Sequence, residues 1–265
     1  MNQVILSEVI DNIGIITLNR PEKRNALSPE LLIKLHLRLK EFEKSNNIRV
    51  LIIKGAGDRA FSSGYDILAI PNDFDEEEKE ILKKHNPLEL ALNTLKNFPY
   101  PVIAMINGYV FGAGLNLAIC CDIRIGVENI KAGMPPSRLG LVYHPDGIKQ
   151  FIDVIGIQKT KEIFFTAKNY SGLEVKENKL VDWLVPEDKI EEFTFTFANE
   201  MAQNAPLSLK GTKRIINMIT ESNMNLNKDQ LDEIEKLIVE SLNSDDLKEG
   251  QKAFIEKRKP VFIGK

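Results

Sequence analysis

Two cysteines, one tryptophan and three histidines are few of the residues that build disulfide frameworks, aromatic surfaces and metal centres in a chain of 265 residues. Cys120 and Cys121 are neighbours in an apolar run, an arrangement poor for an intrachain disulfide and without the spacing of a metal site. Two buried, reduced thiols are expected, and no metal. No apolar stretch reaches 18 residues and no N-terminal apolar leader is visible, so neither a membrane span nor secretion is expected, and the cytoplasm is the default location. A basic excess is missing too: 35 Lys and Arg face 38 Asp and Glu, a formal charge of -3. That balance argues against nucleic acid or an anionic membrane as a general partner, because both reward a basic surface. No repeat of fixed period and no low-complexity linker divides the chain, and its length suits one large domain with an appended element.

What is present is an alternation of strand and helix patterns. Val4 to Glu8 and Gly14 to Leu18 read as a hairpin around Asp11-Asn12. The polar loop Arg20 to Asn25 leads to Ser28-Pro29-Glu30, a helix start, with Leu31, Leu32, Leu35, Leu39 and Phe42 at helical spacing. His36 lies in that helix among lysines and reads as structural. A strand from Arg49 to Lys54 follows, then a polar stretch from Asp66 to Pro87 whose acidic run, Asp73 to Glu80, suggests a mobile, solvated segment. Leu88 to Phe98, Lys149 to Ile155 and Thr160 to Ala167 read as helices, Leu180 to Val185 as a short apolar segment, and the pattern from Ile190 onward as helical throughout. The class is α/β, with strands and helices alternating as in parallel-sheet units.

One stretch organises the rest: NGYVFGAGLNLAICCDIRI, Asn107 to Ile125. An apolar strand passes through a glycine-rich turn (Gly108, Gly112, Gly114) into a buried helix and a further strand. Glycines let a backbone approach a ligand closely, and the first amides of a helix have no partner within it. A tight structural connection alone would use the same residues. The balance shifts with a second segment, AFSSGYDI (Ala60 to Ile67), which also follows an apolar strand.

These two segments, with ITLNRPEKRNALS (Ile16 to Ser28), MPPSRLGLVYHPDG (Met134 to Gly147) and EGQKAFIEKRKPVFIGK (Glu249 to Lys265), resemble the crotonase (enoyl-CoA hydratase/isomerase) superfamily. Several stretches are similar to its methylmalonyl-CoA decarboxylases. The resemblance implies a crotonase-like spiral of repeated ββα units over residues 1–195, carrying an acyl-CoA site, and a C-terminal helical trimerisation region over 196–265. It also implies a homotrimer or dimer of trimers, and no permanently bound cofactor, coenzyme A entering as part of the thioester substrate.

By motif position, the backbone amides of Tyr65 and Ala113 would hold the thioester oxygen and stabilise an enolate at the adjacent carbon. Ala26, Ser62, Gly64, Asp66, Ile67 and Gly112 would border the coenzyme and acyl group. Lys23, Arg24, Phe254 and Lys257 would meet the phosphates or adenine, the tail residues coming from a neighbouring subunit; a solvated cationic face is the plain alternative. The family's hydratases use two glutamates, and this chain has Asn116 and Pro136 at those positions, neither of which carries a titratable proton. Tyr143 falls where the decarboxylase carries a tyrosine, and His144 where dienoyl-CoA isomerases and a dehalogenase carry an aspartate. Asp122 reads as a structural partner of backbone amides or of Arg124 or Arg138. Three readings follow: decarboxylation of a malonyl-type thioester, hydration or isomerisation through His144 or Tyr143, or an acyl-CoA-binding scaffold without catalysis.

Overall fold

The computed structural model describes residues 3–45, 47–66, 76–139, 141–222 and 227–265, without the side chains of residues 241 and 254. β1 (Ile5–Ile10) and β2 (Ile13–Leu18) form the expected hairpin. Asp11 and Asn12 turn it with φ of 47° and 68°, the doubly left-handed geometry that suits a two-residue hairpin. α1 (Pro29–Ser45) starts where Ser28 Oγ accepts the Leu31 amide at 3.3 Å. His36 of α1 is half-buried against Thr94 Oγ1 at 2.7 Å, and burial lowers its pKa, with Lys40 adding to the effect.

Then come β3 (Val50–Gly55), β4 (Ala60–Ser62), α2 (Glu76–Lys84), α3 (Pro87–Lys96), β5 (Val102–Ile106), β6 (Tyr109–Phe111), α4 (Ala113–Ile119), β7 (Ile123–Val127), β8 (Lys131–Gly133) and α5 (Pro145–Thr166). Two lengths of sheet result. The order β1-β2-β3-β5-β7 makes up most of a six-stranded sheet, parallel from β2 onward, and β4-β6-β8 most of a four-stranded one. β3, β5 and β7 of the first sheet are each followed by a short strand of the second and then by helix. This is the ββα unit, repeated as β3–β4–α2, β5–β6–α4 and β7–β8–α5. β3 and β5 are apolar at nearly every position because both of their faces are covered. Each such Val or Ile contributes about 1.5–3 kcal/mol of burial.

β9 (Asn169–Ser171) and β10 (Trp183–Val185) close the smaller and larger sheets, with α6 (Leu173–Glu177) between them. The C-terminal part is helical as expected: α7 (Ile190–Ala202), α8 (Pro206–Glu221), α9 (Lys228–Leu242) and α10 (Asp245–Glu256). The division expected between residues 195 and 196 falls inside α7, which packs on β3, β5 and β7 with Thr194 and Ala198 fully buried. α9 is different. Leu231, Ile238, Val239 and Leu242 are all exposed along it.

Two expectations hold only in part. The acidic run was read as a mobile, solvated segment, and Glu76, Glu77, Lys79 and Glu80 on it are exposed. Residues 67–75, including Ile67, lie outside the described residues, but the rest of the run forms α2, and Glu78 on it is only 4 % exposed. Asp122 partners a backbone amide, one of its expected readings, and the arginine reading falls. Its carboxylate accepts the Val102 amide at 2.7 Å and Lys213 Nζ at 2.6 Å, while Arg124 pairs with Asp182 at 2.8 Å. α8 brings Lys213 to Asp122 from 91 residues away, a proximity no local pattern encodes.

Candidate active site

Two turns meet at the ends of β4 and β6. Gly112 caps α4 with φ 52° and ψ −125°, a conformation closed to residues with a Cβ, and donates its amide to Gly133 O at 3.0 Å. The amide of Ala113, the first helical residue, is left without an intrahelical acceptor, as are those of Gly114 and Leu115. Gly114 keeps the turn tight: a Cβ there would stand 2.6 Å from that of Ser62. Ser62, fully buried, accepts the Gly64 amide on its Oγ at 3.2 Å.

Gly64 has φ 104°, and a Cβ on it would lie 3.0 Å from Phe111 O and 3.6 Å from Ala113 N. A side chain on residue 64 would therefore crowd Phe111 O and stand against the Ala113 amide. Tyr65 forms a parallel bridge with Leu27, in which Leu27 N donates to Gly64 O at 2.8 Å and Asp66 N to Leu27 O at 3.0 Å. In that register the Tyr65 amide points away from the bridge, and among the described residues it has no backbone acceptor. Among the described residues, two amides on neighbouring turns are thus left without a backbone acceptor. Among the described residues no cluster of His, Cys, Asp or Glu is placed to hold a metal, and no helix is long and apolar enough to cross a membrane.

The structure joins the N-terminal loop to this turn. Ser63 N donates to Arg24 O, Ser63 Oγ to Lys23 O, and Arg20 reaches both Ala26 O at 2.7 Å and Asp66 at 2.9 Å. Lys23, Arg24, Ala26, Ser62, Gly64, Asp66 and Gly112 thus gather around one place. Sequence reading missed two residues that hold it: Arg20, and Asn25, 1 % exposed with φ 54°, whose Nδ2 donates to Ala60 O at 2.7 Å. Lys257 is not brought there within one chain. The tail is anchored by Arg49 Nη2 donating to Phe262 O at 2.7 Å, before β3, whereas Gly64 follows that strand's other end. The side chain of Phe254 lies outside the described residues.

Tyr143 and His144 come from the segment that leads into α5. Tyr143 packs its ring on Phe164 and donates to Asn116 Oδ1 at 3.0 Å; burial pushes its phenol pKa up, with Cys120 adding to the shift. Asn116 is fully buried on α4, one turn beyond Ala113. Pro136 is buried in a short 3-10 turn, Pro136–Leu139. His144 caps α5: its Nδ1 accepts the Asp146 amide at 3.4 Å, which leaves Nε2 to carry the proton of the neutral ring, 3.4 Å from Glu89 Oε1 on α3. Glu89 was not singled out from the sequence, since only the fold brings the first turn of α3 to the residue that caps α5. Cys120 and Cys121 are free and buried, as expected, and burial pushes the Cys120 thiol up to about 12.

Cavities of about 650 and 630 Å³ lie elsewhere, one beside α10 and the tail, the other against β1 to β3 and Glu187 to Glu191. Neither contains the amide pair.

The family described as Enoyl-CoA hydratase/isomerase matches residues 8–265. A short-chain-enoyl-CoA hydratase of Clostridium acetobutylicum is 30 % identical over 259 residues, 98 % of this chain and 97 % of that protein. Methylmalonyl-CoA decarboxylase of Escherichia coli is 28 % identical over 256 residues, 96 % of each. Among solved structures, an enoyl-CoA hydratase from Bacillus anthracis superposes with a TM-score of 0.87 at 29 % identity, covering 99 % of this chain and 100 % of that one. With the two-amide turn in place and the match spanning nearly the whole chain, this protein belongs to the enoyl-CoA hydratase/isomerase family of crotonase-fold enzymes.

Proposed function

We propose that the protein decarboxylates a malonyl- or methylmalonyl-type CoA thioester. The observation that carries this reading is the chemistry around Ala113: an open amide pair remains, while the two positions for hydratase glutamates hold a buried Asn116 and a buried Pro136. Loss of carbon dioxide from such a thioester needs no base. It needs an oxyanion hole for the enolate, surroundings that disfavour the carboxylate, and a proton directed to carbon. The Tyr65 and Ala113 amides supply the first, and Tyr143 orients the last. Ala26, Ser62, Gly64, Asp66 and Gly112 border the thioester and pantetheine arm, and Lys23 and Arg24, both exposed, meet the coenzyme's phosphates.

A second reading has one observation in its favour. The Glu89–His144 pair, with 3.4 Å between Nε2 and the carboxylate, resembles an acid–base couple, and hydration or isomerisation of an enoyl- or dienoyl-CoA would use it. The exposed apolar residues of α9 support assembly into a trimer or dimer of trimers, in which residues 196–265 of one copy complete the site of the next and bring Lys257 and Phe254 to the coenzyme. The two buried thiols suit a cytoplasmic setting.

The test is a screen of malonyl-, methylmalonyl-, crotonyl- and dienoyl-CoA by mass spectrometry. Loss of carbon dioxide from the first two, reduced about 10²-fold in Tyr143→Phe with analogue binding unchanged, is the expected result. Turnover of only the enoyl or dienoyl thioesters transfers the chemistry to His144. Binding without any turnover leaves a scaffold.

A further inference from the structure

Behind the ring of Tyr143 runs a short chain of hydrogen bonds that decarboxylation does not by itself call for. Tyr143 Oη donates to Asn116 Oδ1 at 3.0 Å, and Asn116 Nδ2 donates to Gln150 Oε1 at 2.6 Å. The Cys120 thiol donates to the same Gln150 oxygen at 3.1 Å. Asn116 is fully buried and Gln150 is 7 % exposed. Gly147 makes the approach possible, because a Cβ there would stand 2.4 Å from Tyr143 Cε1 and 2.8 Å from Asn116 Oδ1.

All four groups are neutral, so the direction of the chain depends on which way the two amides are turned. Turning Asn116 alone sets carbonyl against carbonyl. Turning Gln150 alone sets NH₂ against both NH₂ and thiol. Turning both is the remaining alternative, and it gives the thiol a donor to face, which sulfur accepts only weakly. Cys120 therefore biases the pair toward the arrangement in which two donors converge on Gln150 Oε1.

We propose that Gln150 and Cys120 are positioning residues that hold Tyr143 as a hydrogen-bond acceptor toward the substrate. The phenol has one hydrogen, and Asn116 takes it. Only oxygen lone pairs are left for the acyl group, and the chemical consequence below rests on the decarboxylase reading. Lone pairs repel the substrate carboxylate and hold a water by one of its hydrogens, leaving the other for the enolate. As the C–C bond breaks, its electron pair moves into the enolate and carbon dioxide departs. The enolate carbon then takes a proton from the water, forming C–H, and the hydroxide left behind combines with carbon dioxide to give bicarbonate. No oxidant or reductant is required.

The test uses the tyrosine Raman doublet, whose intensity ratio separates hydrogen-bond donors from acceptors, with Tyr143 isolated by subtracting the Tyr143→Phe spectrum. The unliganded wild type should report a donor at every pH through the neutral range. Gln150→Glu is nearly isosteric and still offers Asn116 Nδ2 an acceptor, through the carboxylate when ionised and through the carbonyl oxygen when protonated, so Tyr143 should remain a donor. Gln150→Leu removes that acceptor and frees Asn116 to turn, so the Raman ratio should move away from the donor value, and kcat on the malonyl-type thioester should fall up to about tenfold, the scale of one neutral hydrogen bond, while KM moves little. An acceptor ratio in the wild type, or a donor ratio unchanged in Gln150→Leu, overturns the proposal. If the Raman behaviour holds but no malonyl-type thioester is consumed, the substrate reading falls and the positioning role stands.

Discussion

The amide half of the site and its side-chain half rest on different supports. Gly64, Tyr65 and Ala113 are held by backbone: a parallel bridge to Leu27, the strand pairs β4–β6 and β6–β8, and a fully buried α4. Tyr143 and His144 sit on a short irregular segment ahead of α5 and are placed by side-chain contacts, Tyr143 by Asn116 and Phe164, His144 by Glu89 and its cap on the Asp146 amide. Backbone geometry tolerates many side chains, so the first half should withstand substitution better than the second.

Removing a donor from the firmer half should have the largest effect. Ala113→Pro deletes the amide hydrogen at the first position of α4, where proline is well accommodated, so the fold should persist by circular dichroism. The expected loss in kcat is about 10²–10³-fold, and a loss of only a few-fold would mean that this amide does not face the oxyanion. Gly64→Ala should come next. A Cβ at φ 104°, 3.0 Å from Phe111 O, costs about 1–3 kcal/mol of stability by denaturant titration, and it should also weaken binding of a non-reactive acyl-CoA analogue.

The looser half should respond less to His144→Asn. Asparagine keeps the cap on α5, and decarboxylation needs no base, so a malonyl-type substrate should lose only a few-fold in rate. A loss beyond about 10²-fold, or an effect confined to enoyl substrates, would instead make the Glu89–His144 pair the centre of the chemistry.

The smallest change concerns the tail, which within one chain docks beside Arg49. Arg258 hydrogen-bonds Glu249, and with the Val261 amide it lowers the Glu249 pKa from 4.5 to about 2. A depressed carboxyl stabilises the docked tail above its unfolded pKa and loses that contribution as pH falls through the folded one. Docking should therefore weaken as pH drops from 4.5 toward 2. Glu249→Gln at neutral pH should likewise speed carboxypeptidase removal of Lys265 slightly while kcat holds, because an exposed pair is well screened.

Much of the plan is written locally. The hairpin at Asp11-Asn12, the capped start of α1, the apolar runs of β3 and β5 and the glycines before α4 each follow from a residue's own conformational limits or from a period read along the chain. The unpaired amide of Ala113 was legible for the same reason, since a glycine turn before a buried helix leaves its first N–H groups unpaired wherever it occurs. Partners were not. Asp122 meets Lys213 across 91 residues, Arg124 meets Asp182 across 58, and Asn116 meets Gln150 across 34. Each pairing depends on which faces of distant elements the packing brings together, and many lysines, aspartates and glutamines along the chain satisfy the same local rules. The sequence by itself therefore determined the fold class and a glycine turn whose first helical amides lack partners, through constraints acting over a few residues. Tertiary structure alone decided which side chains stand beside that backbone and in which direction their hydrogens point, because those are properties of contacts between residues that the chain keeps far apart.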